Sequence, residues 1–86
     1  MTEAQLQEDS PVQTKLAAIM NKEFGIEEKH VSSEGKLSDD YDLDSLDRVE
    51  LMMACEEEFN IAVPDEEAEK LITIGDVVQY IAKERE

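Results

Sequence analysis

Asp44-Ser45-Leu46-Asp47-Arg48-Val49-Glu50-Leu51-Met52-Met53-Ala54-Cys55-Glu56-Glu57-Glu58-Phe59 is the stretch on which the fold turns. Advancing about 100° per residue from Ser45 brings Leu51, Met52, Cys55 and Phe59 within about 100° of one another. That stripe predicts a helix over 45–59 with one core-facing side. Asp44 is a favoured N-cap, and Asp47 and Glu50 place negative charge in the first turns, where the helix dipole favours it. The other side carries Ser45, Leu46, Val49, Glu50, Met53 and Glu57. It is apolar and acidic together, and one helix cannot bury both sides in so small a domain. Leu46, Val49 and Met53, rimmed by carboxylates, read as a partner surface, and methionine suits a surface that must fit several partners. The plainer alternative is that these side chains are scattered singly or covered by the preceding loop.

Working outward, Ser10-Pro11 reads as an N-cap followed by proline in the first helical position. Val12, Leu16, Ile19, Met20 and Phe24 recur at helical spacing, and Gly25 fits a stop, so a first helix is predicted over about 11–24. Residues 1–9 are expected to be a flexible tail, and 10–86 a single domain. From Ile26 to Leu43 no period is sustained. This is a long loop whose Ile26, Val31 and Leu37 should tuck onto the core, and long loops in compact domains are often functional. Beyond the helix over 45–59, Pro64 is a break. Asp65 is expected to cap a short helix over 66–70. Thr73-Ile74-Gly75-Asp76 resembles a capping box and opens a last helix over about 74–84. No segment alternates at period two for long enough to make a strand. The fold class is all-α: a small antiparallel bundle of three main helices and one short one.

The chain has 86 residues, 23 acidic and 8 basic, and a net charge of −15. Between Leu37 and Glu69 stand 13 acidic residues and one basic residue, Arg48. That field repels nucleic acid and anionic lipid and steers basic protein patches toward it. One cysteine, Cys55, allows no internal disulfide, and no Cys/His cluster has metal-site spacing. The first ten residues lack the basic and apolar regions of a signal peptide and the arginines of a transit peptide. No apolar run approaches spanning length. A monomeric cytoplasmic protein without nucleic acid or membrane partners is expected. So small a core leaves little room for a deep active site, which argues against an enzyme.

A serine after an N-cap aspartate is ordinarily only a helix-start residue. Its company is more specific. Asp44-Ser45-Leu46-Asp47-Arg48-Val49-Glu50-Leu51 resembles the attachment motif of acyl carrier proteins. Met53-Ala54, Glu56-Glu57-Glu58-Phe59, Pro64-Asp65-Glu66-Glu67-Ala68-Glu69-Lys70 and Thr73…Tyr80-Ile81 continue in that family's order and spacing. The resemblance runs from about Val12 to Ala82. It implies that Ser45 receives 4'-phosphopantetheine as a phosphodiester, installed from coenzyme A by a phosphopantetheinyl transferase. The arm's thiol would hold acyl groups as thioesters for basic-surfaced enzymes of fatty acid synthesis. It further implies that Asp44, Glu50 and Glu57 with Leu46, Val49 and Met53 dock those enzymes. An acyl chain would shelter in the apolar interior, expected among Leu51, Cys55, Phe59, Leu71 and Ile81.

Two departures stand out. The family usually has Leu-Gly where this chain has Tyr41-Asp42. If that glycine takes a positive φ, aspartate is among the residues that tolerate it. Cys55 stands where a larger aliphatic residue is common, which would enlarge the space for an acyl chain. Rival readings fit the residues less well. Asp40-x-Asp42-x-Asp44 supplies the first three ligand positions of an EF-hand, but Ser45 and Leu51 stand where glycine and glutamate belong. No Gly-x-Ser-x-Gly surrounds Ser45, and the one histidine, His30, lies in the loop. A carrier dedicated to a specialised acyl pathway, or an acidic helical adaptor without the arm, remain the alternatives.

Overall fold

The structure, a computed structural model, describes residues 11–84. The Ser10 cap and the tail over 1–9 lie outside the described residues. Helix α1 spans Pro11–Phe24, α2 Ser45–Phe59, α3 Asp65–Ala68 and α4 Ile74–Glu84. These four helices, with no named strand among the described residues, are the all-α fold expected. Helix α1 buries Val12, Leu16, Ala17 and Met20 against α2 and α4. Gly25 ends it at φ +73, donating its N–H to Asn21 O at 2.9 Å, the glycine stop that an L side chain would strain. Asn60 ends α2 in the same left-handed conformation at φ 57.

The long loop is more structured than its sequence suggests. It contains a 3₁₀ turn over Glu28–His30 and a single bridge between Lys36 and Thr73. Val31, Leu37 and Leu43 are buried and Ile26 is half-buried, so the loop closes one side of the core. It also satisfies the start of α4. Ile74 N donates to Gly35 O at 2.9 Å and Gly75 N to Ser33 O at 2.8 Å, while Asp76 N donates to Thr73 Oγ1 at 3.1 Å. Asp76 Oδ2 accepts in return from the N–H of Thr73 and Ile72, so the capping box forms with aspartate in the reciprocal place.

The short helix differs from the expected 66–70. It begins one residue earlier, because Pro64 O accepts both Glu67 N and Ala68 N at 2.9 Å and nucleates the turn without an Asp65 side-chain cap. It also ends earlier, because Lys70 N and Leu71 N tighten to three-residue bonds on Glu67 O and Ala68 O.

Candidate functional site

The junction between the loop and α2 is built to turn a side chain outward. Leu43 is buried and donates its N–H to Leu37 O at 3.1 Å, which anchors the chain just before the helix. Asp42, the residue before it, has φ 58. Aspartate thus takes here a left-handed backbone, the conformation that glycine would adopt without strain. Asp42→Val is expected to cost about 1–2 kcal/mol, because a β-branched side chain crowds that conformation. Asp42→Gly should leave stability level or higher. Denaturant midpoints of the two variants check this, and an unchanged midpoint in Asp42→Val would refute it.

Asp44 then caps α2. Its Oδ1 accepts Asp47 N at 2.8 Å, and its own N–H donates to Asp47 Oδ2 at 3.3 Å. Ser45 is the first residue of α2, exposed, with no hydrogen bond to its hydroxyl among the described residues. The first N–H groups of a helix have no acceptor within it, so those of Ser45 and Leu46 are left for solvent or for a group at that end of the helix. Beside it a groove of about 270 Å³ runs between α2 and α3, lined by Arg48, Val49, Met52, Asp65, Ala68 and Glu69 together with Ser45.

The two sides of α2 part as the helical spacing requires. Leu51, Met52, Cys55 and Phe59 are buried, as are Leu71 and Ile81 from later in the chain. Leu46, Val49 and Met53 are 74%, 52% and 56% exposed, and Asp44, Glu50 and Glu57 are exposed beside them. Among the described residues Glu50 and Glu57 form no ion pair, whereas Glu58 meets Lys15 at 3.8 Å. Burial, and then the neighbouring Glu56 carboxylate, push the Cys55 thiol up to about 12. The thiolate is therefore suppressed in the fold. Stability linked to this group is present below the ordinary thiol value of 9.0 and declines as pH rises from there toward about 12. Cys55 is an inert core residue, not a nucleophile.

The acidic loop residues have other employment than an EF-hand. Asp40 Oδ2 accepts Lys36 N at 2.7 Å, and Asp44 is committed to the cap. His30 sits exposed, 3.8 Å from Glu27.

Three side chains whose structural roles the sequence does not disclose organise the site. Tyr41 donates its hydroxyl to His30 O at 2.8 Å and accepts from Ser32 N at 3.1 Å, pinning the loop to itself. Glu56 Oε2 accepts Val63 N at 2.7 Å and fixes the chain leaving α2. Arg48 Nη2 donates to Ala68 O at 3.2 Å and Leu71 O at 3.0 Å, clasping α3 to α2. A lone cation within 13 acids was the available signal for Arg48. Tyr41 stood out only as the residue in place of the family's usual leucine, and Glu56 carried no signal, because its partner is a backbone N–H.

The family model described as "Phosphopantetheine attachment site" matches residues 9–81. An acyl carrier protein of Akkermansia muciniphila is 48% identical over 75 residues, which is 87% of this chain and 94% of that protein. The relative's name describes a carrier, and acyl carrier proteins are carriers rather than enzymes. The group such a carrier bears is phosphopantetheine, and an exposed hydroxyl at a helix N-terminus, with a groove beside it, fits a phosphodiester-linked arm. A helical bundle with a capped, outward-facing Asp44-Ser45-Leu46 junction, matched along most of its length, belongs to the acyl carrier protein family.

Proposed function

We propose that Ser45 is the residue that bears the arm, and that the chain shuttles intermediates of fatty acid synthesis between enzymes as thioesters. The carrying observation is the position of Ser45: an exposed, unbonded hydroxyl heading a face that is apolar and acidic together. When attached, the arm supplies a terminal thiol that forms the thioester. The residues supply placement. Asp44 and Asp47 hold the helix start rigid, and Leu43 keeps Ser45 at the edge, where a transferase can reach it. Covalent attachment removes any need for the acidic surroundings to attract the phosphate.

The same face serves as the dock for the transferase and for basic-surfaced synthesis enzymes. Leu46, Val49 and Met53 give it apolar contact, while Asp44, Glu50 and Glu57 give it fast, salt-sensitive encounter and easy release. The working unit is one domain over residues 10–86, acting as a monomer in the cytoplasm. No described helix is long and apolar enough to cross a membrane.

Intact mass after incubation with a phosphopantetheinyl transferase and coenzyme A tests the modification. One added phosphopantetheine, mapped to the peptide holding Ser45, is expected. No gain with several transferases would leave an arm-free adaptor. Charge reversal tests the dock. Glu50→Lys and Glu57→Lys should each slow association with a basic partner about 10-fold at low salt, with the deficit shrinking near 0.5 M salt. Unfolding should move by no more than about 0.5 kcal/mol. Equal loss of stability and association would remove the docking role.

A further inference from the structure

Arg48 is the one basic residue between Leu37 and Glu69, among 13 acidic ones. No carboxylate pairs with it among the described residues. Its Nη2 is spent on the carbonyls of Ala68 and Leu71, which holds the guanidinium in place and half-buried. A guanidinium has five N–H donors, so Nε and Nη1 keep about three. Ser45 and Arg48 are three residues apart on α2, hence neighbours on its surface, and both line the groove toward α3. The Cα–Cβ bond of a helical residue tilts toward the helix N-terminus, so the base of the Arg48 side chain is directed toward the turn that starts with Ser45.

Resting on Ser45 as the attachment residue, we infer that Arg48 is the counter-ion of the phosphodiester, and that this pairing lays the first part of the arm along the α2–α3 groove. The phosphate would otherwise add an anion next to Asp44 and Asp47 in the most acidic third of the chain. Asp65 and Glu69 line the same groove, yet neither pairs with Arg48. A phosphate tethered one helical turn away competes at high effective concentration, without the cost of being captured from solution. The carbonyl clasp makes Arg48 a fixed charge, so little side-chain freedom is lost on pairing. Arg48 is a positioning residue for the arm.

The test is a cycle of four proteins, apo and holo, with Arg48 and with Arg48→Gln. The arm's place is first verified by peptide mass. Loading should lower the folding constant about 3- to 5-fold more in Arg48→Gln than in the parent at low salt. The difference should vanish near 0.5 M salt. Losing the clasp affects apo and holo alike and cancels in the cycle. The holo ³¹P resonance should also move in Arg48→Gln and stay close to the parent's in Arg48→Lys. Should Arg48→Gln not fold, the ³¹P resonance of the holo parent is followed with salt: a shift that titrates supports the pairing, and a salt-independent one overturns it. Equal effects of loading in both backgrounds overturn the Arg48 role alone. Loading at a residue other than Ser45 overturns this inference and the Ser45 reading together.

Discussion

Ser45→Ala is expected to abolish phosphopantetheine loading completely while leaving unfolding within about 0.5 kcal/mol of the parent. The two halves of that result have different causes. Loading needs an oxygen nucleophile at the place a transferase reaches, and alanine offers none. Stability hardly depends on the hydroxyl, because it makes no hydrogen bond among the described residues and the side chain is exposed. The cap of α2 belongs to Asp44 and Asp47, which the substitution leaves alone. Alanine is also the better helix former. Intact mass with transferase and coenzyme A reads the first half, and urea unfolding reads the second. The loop offers competing hydroxyls in Ser32, Ser33 and Ser38, all exposed. An arm retained by Ser45→Ala would have to sit on one of these or on another hydroxyl of the chain, and the assignment would fall. What separates Ser45 from those serines is the helix behind it and the apolar face it heads.

The helices are legible in the sequence wherever local chemistry decides them. The 45–59 span comes from Asp44 as cap and the Leu51, Met52, Cys55, Phe59 stripe, and the structure begins and ends α2 at those residues. The last helix comes from Thr73 and Asp76, which cap each other as read. The short helix escapes an accurate reading because its start is set by a backbone carbonyl, Pro64 O, and not by the capping side chain of Asp65. The interior of the loop is legible only in its apolar residues, Ile26, Val31 and Leu37, which tuck onto the core as read. Its order rests on contacts across many residues, Tyr41 to His30 and Gly35 to Ile74, which leave no period to read.

The candidate site divides along the same line. The exposed and buried sides of α2 are a matter of helical spacing, so Ser45, Leu46, Val49 and Met53 can be separated from Leu51 and Cys55 on the sequence alone. The groove beside Ser45 cannot, because α3 forms half of it and arrives through tertiary packing. The expected acyl-shelter residues Leu51, Cys55, Phe59, Leu71 and Ile81 are all buried, but the groove beside Ser45 is lined by none of them. Arg48, Met52 and Ala68 line it instead, and the clasp from Arg48 to Ala68 and Leu71 borders it.

Gly35→Ala should destabilise the fold by about 2–4 kcal/mol, through overpacking and the hydrogen bonds it breaks. Gly35 is buried, and a Cβ there would run into the Tyr41 hydroxyl and ring. The backbone cannot move aside, because Gly35 O accepts Ile74 N and Gly35 N donates to Ser32 O. Tyr41 must therefore swing out, giving up His30 O and Ser32 N and releasing the 3₁₀ turn from the loop. Backbone strain is not the cause, since Gly35 lies outside the left-handed region that Gly25 occupies. A double mutant separates the clash from any other cost. In a Tyr41→Leu background, which restores the family's residue at that place, Gly35→Ala should cost less than about 0.5 kcal/mol, a large departure from additivity for two residues in contact. An undiminished penalty in that background would mean that the glycine is required for a reason other than Tyr41. The expected coupling would mean that this chain holds its long loop by seating the Tyr41 ring against Gly35 and pinning its hydroxyl to His30 and Ser32.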